Sequence, residues 1–432
     1  MKTRIIIHWL RRDLRWHDNS ALQQAHQKNI PVLPIFIFDR NILSKLENRQ
    51  DGRVQFIHEN LERMHQSLQE QGGGIRFFYS HPEEAWNQLM EEFDIAGVFF
   101  NRDYEPYARE RDRKIYDFLL SKNIPLTTFK DHVIFEKSEI TKDDGKPYTV
   151  FTPYSKKWKA TLNNQAFEIQ SSDNLKQWHH WQSHPIPTLG EMGFEKTTLQ
   201  FPPAQFNSQI ISHYHETRDI PSINGTSKLS LHLRFGTISI RECVNIALKS
   251  NETWLNELIW RDFYQMIIYH FPHSANSSFK PQYDRVQWIN NEVEFNQWCK
   301  GQTGYPIVDA GMRELNETGH MHNRVRMIVA SFLTKHLMID WRWGERYFAE
   351  KLLDFDLASN VGGWQWAAGS GCDAAPYFRI FNPYSQTEKF DAQELYIKKW
   401  VPEYKSASYP APIVDHKFAR ERCLRIYKEA LQ

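Results

Sequence analysis

Residues 5–13 read Ile5-Ile6-Ile7-His8-Trp9-Leu10-Arg11-Arg12-Asp13, a short apolar run that stops at two arginines and an aspartate. An apolar run without polar alternation fits a strand covered on both faces, as in a parallel sheet. Further short apolar runs lie at 32–38, 75–79 and 97–100. The stretches around them, 20–28, 52–70, 82–93 and 106–120, repeat their apolar residues every three to four positions, as helix faces do. This alternation predicts an α/β domain over 1–130, built on a doubly wound parallel sheet. A dinucleotide fold places Gly-x-Gly-x-x-Gly after the first strand. Here Arg11, Arg12 and Asp13 stand there, so no standard dinucleotide site is expected at that turn.

From about 131 to 205 the pattern lapses. Proline, lysine, glutamine and histidine become frequent, and the segment reads as a surface connector with room for short helices. After 206 the strand signal fades. Stretches 241–248, 253–269, 306–317, 323–339 and 345–353 carry apolar residues at helical spacing, which predicts an all-α domain over 206–432.

Composition narrows the classes. A chain of 432 residues, 41% hydrophobic and 24% charged, is neither disordered, collagenous nor a pure coiled coil. A net charge of +1 gives no global pull on a polyanion, so nucleic-acid binding would need a local basic patch. No apolar run is long enough for a membrane span, and residues 1–16 read as a first strand rather than a signal peptide. Cys243, Cys299, Cys372 and Cys423 are too widely spaced for a zinc ribbon or a redox dithiol, which points to the reducing cytoplasm. The aromatic content is unusual, with 28 Phe, 18 Tyr and 15 Trp, and nine of the tryptophans fall between Trp254 and Trp400. Two readings compete: a Trp-rich helical core, or aromatic surfaces that stack on bases or hold a flat cofactor.

Several clusters carry candidate chemistry. Gly225-Thr226-Ser227-Lys228-Leu229-Ser230 is an ordinary Ser/Thr turn or cap by itself, yet its hydroxyls and lysine also suit a phosphate. Trp254, Glu257 and Arg261 share a helix face. Glu257 and Arg261 form either a plain surface pair or part of a cleft where a carboxylate lies beside an indole. Around His320, His322, Asn323, Arg324 and Arg326, the two histidines do not converge on a helix and nothing completes a ligand set, so no metal is expected. Arg324 and Arg326 point to different sides. Asp354, Asp356, Asn360, Gly362-Gly363, Trp364 and Trp366 crowd one turn, which suits a planar heterocycle bonded at its edge better than a two-metal centre.

Taken in order, 254–261, 303–312, 321–326, 354–366 and 373–382 resemble the DNA photolyase/cryptochrome family, most of all its class I cyclobutane pyrimidine dimer photolyases. The resemblance spans nearly the whole chain. It implies an antenna-type domain at 1–130, a connector at 131–205 and a helical FAD-binding catalytic domain at 206–432. It also implies a light-driven deoxyribodipyrimidine photo-lyase, acting as a monomer on damaged DNA. By position, Tyr214, Thr226, Ser227, Lys228, Leu229 and Ser230 match the holders of the FAD phosphates. Trp254, Arg326, Asp354, Asp356 and Asn360 match residues around the flavin and its ribityl chain, with Asn360 facing N5. Glu257, Trp260, Asn323, Met327 and Trp366 match the dimer pocket. Trp364, Trp341 and Trp288 match an electron-hopping chain, and Arg324, Arg379 and Gln386 match contacts to the DNA strand.

One departure concerns the antenna. Folate-using members follow Tyr-Glu with an Asn-Glu pair, whereas Tyr104-Glu105-Pro106 is followed here by Tyr107-Ala108; the Cys-Lys pair expected before Pro281 is also missing. The resemblance thus favours a deazaflavin or flavin antenna over folate, or none. The alternatives are a cryptochrome-type photoreceptor without repair and a cofactor-free nucleic-acid-binding module. The 50 residues after Asn382 carry no disordered tail, which favours repair over signalling.

Overall fold

The computed structural model describes residues 2–180 and 185–432. The chain forms two compact units: Met1–Glu136 with Asn164–Gln205 and Leu229–Lys249, and Lys137–Asn163 with Phe206–Lys228 and Ser250–Gln432.

The first unit is built on strands β1 (Thr3–Leu10), β2 (Val32–Asp39), β3 (Arg76–Ser80), β4 (Phe93–Asn101) and β5 (Leu126–Phe129). They lie in the order β3-β2-β1-β4-β5, every pair parallel. Helices α1 (Ser20–His26), α2 (Gly52–Gln69), α3 (Pro82–Glu92) and α4 (Pro106–Ser121) link the strands. This is the doubly wound sheet that the alternation predicts. β2 is buried at every position, which explains its unbroken apolar run. Asn19 and Asp51 cap α1 and α2, and α3 and α4 open on proline. The fifth strand has no counterpart in the sequence reading. It is a four-residue edge with no fully buried position, so its apolar signal is weak.

The strand order reverses between β1 and β4, where α/β sheets usually open a ligand crevice. Here charged side chains fill the turn after β1. Arg11 Nη1 lies 2.6 Å from the Asp112 carboxylate, Arg12 Nη1 reaches Glu105 at 3.0 Å, and Asn101 Nδ2 donates to Asp13 at 2.6 Å. The Arg11-Arg12-Asp13 sequence therefore replaces a phosphate loop with internal ion pairs.

The segment Leu229–Lys249 joins this unit although the sequence places it in the helical domain. Asp131 explains the attachment: Arg15 and Arg241 reach its two carboxylate oxygens at 2.6 and 2.8 Å. Burial opposes the charge on Asp131, but the two guanidinium groups outweigh it and pull its pKa down to about 2. Pairing across 110 residues of sequence leaves no local signal.

The second unit is helical. Its main elements are α5 (Phe151–Leu162), α6 (Glu252–His270), α7 (Pro306–Thr318), α8 (Asn323–Ser331), α9 (Trp341–Lys351), α10 (Leu357–Ala368), α11 (Pro383–Phe390) and α12 (His416–Leu431). Its core gathers Trp298, Val308, Met312, Val329, Leu333, Trp341 and Trp364. The helix predicted over 323–339 ends at Ser331 and continues as a π-helical turn, Phe332–His336. That turn buries Lys335, whose Nζ donates to the Ala368 carbonyl at 2.8 Å and lies 3.9 Å from the Tyr427 ring centre. Burial lowers its pKa to about 8. α5 lies inside the predicted connector. Its Phe151, Tyr154, Trp158 and Leu162 do recur at helical spacing, and Trp158 Nε1 donates to Asp262 of α6 at 3.0 Å. Among the described residues, no helix is long and apolar enough to cross a membrane.

Candidate active site

Most of the candidate residues lie in the second unit, around α6, α8 and α10. Asn251 caps α6 by accepting from Trp254 N–H at 3.1 Å. Trp254 is buried, and its indole N–H points at Ser227 Oγ, 3.4 Å away, so one hydroxyl of the 226–230 run reaches the α6 face. Tyr214 opens a short helix nearby in sequence, with the Arg218 guanidinium 5.7 Å from its ring centre. Thr226 is half-buried and Lys228 exposed. The run is not held in one unit: Leu229 and Ser230 fall in the first, where Ser230 begins a helix.

Glu257 is half-buried one turn beyond Trp254. Arg218 donates Nη1 to its carboxylate, a partner from outside its own helix, where the surface-pair reading has Arg261. Burial holds the Glu257 pKa above its ordinary value even with this guanidinium beside it. Arg218 lies 39 residues before Glu257, so the pair is invisible to helix-face reasoning.

Asp356 caps α10, and its buried carboxylate accepts from Ser359 N–H at 3.1 Å and from Gln265 Nε2 of α6 at 3.1 Å. Asp354, just before it, receives Arg326 Nη2 at 2.9 and 3.1 Å, while Arg326 Nε donates to the Met321 carbonyl at 2.7 Å. One turn into α10, Asn360 Nδ2 donates to the backbone and side-chain oxygens of Glu345 at 3.1 and 2.9 Å. With both acceptors on one side, the amide orientation is determined and Asn360 Oδ1 is left as an acceptor. Gly363 lies three residues on, hence on the same helix face. A Cβ there would meet nothing within 4 Å, so this face borders open space.

Trp260, Trp366 and Met327 are half-buried, and Asn323 is exposed at the start of α8. Asn323 and Met327 share one side of α8 at i, i+4, and Arg324 Nη1 lies 3.7 Å from Met327 Sδ. Trp366 lies 6.3 Å from Phe381. Arg324 turns away from Arg326, as expected: its Nη2 donates to Asp219 at 2.7 Å and its guanidinium lies 4.3 Å from the Phe390 ring centre. Phe390 and Gln386 are four apart on α11, so Arg324 lies on the Gln386 side of that helix. Arg379 is exposed, 5.6 Å from the Phe381 ring centre.

Trp288, Trp341 and Trp364 have a different setting. Trp364 packs edge-on to Phe348 at 4.9 Å and Trp298 at 6.1 Å. A Cβ at Gly344 would lie 2.1 Å from the Trp364 ring, so the glycine is what lets α9 and α10 close on it. Trp341 is equally buried, and among the described residues its indole N–H has no partner. Trp288 is half-buried against the same core.

His320 lies 3.8 Å from Glu314, and His322 caps α8 by accepting from Arg324 N–H at 3.2 Å. Among the described residues, no three His, Cys, Asp or Glu side chains come together as a metal site.

Residues 254–408 match the FAD binding domain of DNA photolyase, and residues 6–172 match the DNA photolyase domain. The deoxyribodipyrimidine photo-lyase of Vibrio cholerae is 37% identical, with 98% of this chain aligned to 99% of that one. The chain belongs to the DNA photolyase family. Among solved structures, a bacterial class III photolyase from Agrobacterium tumefaciens superposes with a TM-score of 0.88 at 32% identity, covering 100% of this chain and 98% of that one. An archaeal photolyase from Sulfolobus tokodaii, solved with two FAD molecules, gives 0.85 at 33%, covering 98% and 100%. The residues present suit FAD. Asn360 Oδ1 offers an acceptor on a face with open space, and the exposed Lys228 offers positive charge for an anionic cofactor.

Proposed function

We propose that this photolyase splits cyclobutane pyrimidine dimers in DNA under light, as a monomer in the cytoplasm. The observation that carries the reading is the end-to-end match to relatives named deoxyribodipyrimidine photo-lyase. That name favours repair over signalling. FAD, when bound and reduced, would supply the light-driven one-electron chemistry that ring opening needs.

The protein's own residues bind, orient and exclude water. Tyr214, Thr226, Ser227, Lys228, Leu229 and Ser230 hold the cofactor phosphates. Trp254, Arg326, Asp354 and Asp356 hold its ring and ribityl chain. Glu345 secures the Asn360 amide, so that Oδ1 accepts from a donor on the ring edge. The flipped-out dimer enters a slot lined by Trp260, Trp366 and Met327, with Asn323 at its rim. Extrusion costs a few kcal/mol, less for a poorly stacked lesion, and this difference contributes selectivity. Glu257 hydrogen-bonds the base edge. Burial raises its pKa although Arg218 stands beside it, and a hydrogen bond from its carboxyl group would strengthen as negative charge develops on the base.

Arg324, Arg379 and Gln386 contact the strand, with Arg324 exchanging Asp219 for a phosphate. Trp288, Trp341 and Trp364 would pass electrons inward from an external reductant at the surface to an oxidised cofactor, the reductant being oxidised in turn. For the antenna, the 104–108 segment favours a flavin or deazaflavin over folate. Tyr107 donates its hydroxyl to Asp39 there at 2.5 Å, and the Sulfolobus tokodaii relative, with its two FAD molecules, supports the same choice.

The test is illumination of the reduced protein with an oligonucleotide carrying one thymine dimer. Dimers should disappear in proportion to light dose and persist in the dark. Persistence under light, with FAD bound and reduced, would refute the reading.

A further inference from the structure

One aromatic pair beside the proposed slot departs from the usual geometry. Phe151 and Trp260 lie face to face, ring centroids 3.7 Å apart and planes within 3°. Aromatic side chains generally prefer offset or edge-on contacts at about 4.5–7 Å, because superposed quadrupoles repel. The neighbours of this pair obey that rule: Phe263 meets Trp260 edge-on at 5.6 Å and Phe151 edge-on at 5.9 Å. The face-to-face spacing is instead close to the rise of about 3.4 Å between stacked bases.

Both rings are held from behind. Trp260 rides on α6. Phe151 is the first residue of α5, and the residue before it, Val150, has no side-chain oxygen with which to cap the helix. The Asp373 carboxylate takes that role, accepting from Phe151 N–H at 3.1 Å, where a negative charge also suits the helix N-terminus. One and two turns on, Tyr154 and Trp158 are fully buried; Tyr154 packs 5.2 Å from Phe263, and Trp158 bonds Asp262. Asp373 begins the segment that carries Arg379, so one carboxylate ties that segment to the stack. Trp260 stays half-buried, with Phe151 stacked on one face and the Tyr264 ring 5.4 Å away at a tilt of 31°.

We propose that Phe151 is a positioning residue for the lesion. Its ring covers one face of the Trp260 indole and fixes the indole plane, so that the part of the indole left exposed is a pre-set platform for one base of the extruded dimer. Asp373 sets Phe151 through the cap of α5. The proposal rests on the reading of Trp260 as a wall of the dimer slot. A platform already rigid before binding loses less entropy when the base arrives, and it holds the base at a defined angle. Phe151 itself touches no DNA in this account. Its loss should therefore reduce preference for damaged DNA and leave general DNA affinity, carried by the arginines, in place.

The test measures affinity for dimer-containing and undamaged oligonucleotides of the same sequence, with the FAD-loaded protein. Phe151→Ala and Phe151→Leu should lower the damaged-to-undamaged preference by about three- to tenfold, the span of one aromatic contact. Phe151→Tyr keeps the flat face and should restore the preference. Asp373→Asn keeps an acceptor for the Phe151 N–H and should stay near the parent; Asp373→Ala should not. Leucine retains most of the volume, so if the alanine variant fails to fold, the contrast between leucine and tyrosine carries the test. A parent protein that does not prefer dimer DNA would refute the repair reading itself. A parent that does, alongside leucine and tyrosine variants with equal preference, would overturn the role of Phe151.

Discussion

The second unit holds two groups of tryptophans in opposite surroundings. Trp341 and Trp364 are 1% and 2% exposed, set in the helical core, with the Trp341 N–H unbonded among the described residues. Trp260 and Trp366 are half-buried, each with another ring against it. Burying an indole N–H without a partner costs on the order of 1–3 kcal/mol, so core packing alone is a weak reason to retain Trp341. Electron relay offers a reason, because a hop needs a ring and not a hydrogen bond. The second group faces outward, where an indole offers a broad flat surface to a base. On the proposed reading, one residue type, at a density that composition alone already marked, serves two separable tasks.

The largest effect should come from the buried group. Trp364→Phe should abolish, or nearly abolish, light-driven reduction of oxidised FAD, followed as bleaching of flavin absorbance. Unchanged bleaching would remove Trp364 from the relay. In the exposed group, Trp260→Ala should weaken dimer-DNA binding by about 1–3 kcal/mol, the worth of one base–aromatic stack, and leave FAD photoreduction intact. If photoreduction falls with it, the two groups are not separable.

A buried lysine reports on the environment of the first group. Lys335 bonds beneath the Tyr427 ring, and Tyr427 meets Trp288 at 6.0 Å. Its folded pKa of about 8 lies below the unfolded value of about 10.5, so from pH 8 to 10.5 the unfolded chain binds a proton that the folded chain does not. Its contribution to stability therefore rises with pH through that window, by about 3 kcal/mol at 1.36 kcal/mol per unit. Lys335→Met should lack this rise in denaturant melts at pH 7 and 10. An identical pH profile in parent and variant would mean that Lys335 is better hydrated than its burial indicates.

Glu257 bears on the exposed group. Glu257→Ala should lower the repair yield per absorbed photon several-fold, and more than it lowers dimer binding. Since burial raises its pKa, the parent yield should fall as pH rises through that value, and the variant should lose this dependence. An equal yield in parent and variant would return Glu257 to a structural pairing with Arg218. The smallest effect is at the rim: Arg324→Ala should reduce the slope of log affinity against log salt by about 0.7–0.9, one phosphate contact. An unchanged slope would place Arg324 with Asp219 and not with DNA.

How much of this could be read from sequence follows the range of the interactions. The sheet and the long helices were legible because a buried strand and an amphipathic helix repeat within a few residues. β5 was not, since Leu126-Thr127-Thr128-Phe129 is a short edge with little apolar content. α5 carried a helical pattern but sat among Pro-, Lys- and Gln-rich sequence. The attachment of 229–249 to the first unit turns on Arg241 and Asp131, which no local window connects. The site divides in the same way. The Trp254–Glu257 face and the crowded turn before Trp364 stood out by local density. Arg218 beside Glu257, Glu345 behind Asn360, Asp219 beside Arg324 and Phe151 on Trp260 are tertiary partners, and only the fold brings them together.

The central claim, that relay and repair run on different tryptophans around one cofactor, is tested most directly in a single variant. Trp364→Phe, reduced chemically rather than by light, should be illuminated with thymine-dimer DNA and its repair compared with that of the parent reduced in the same way. Repair at the parental rate, from a protein that cannot photoreduce its own FAD, is the predicted result. Loss of repair in that chemically reduced variant, with FAD content and dimer binding intact, would contradict the division.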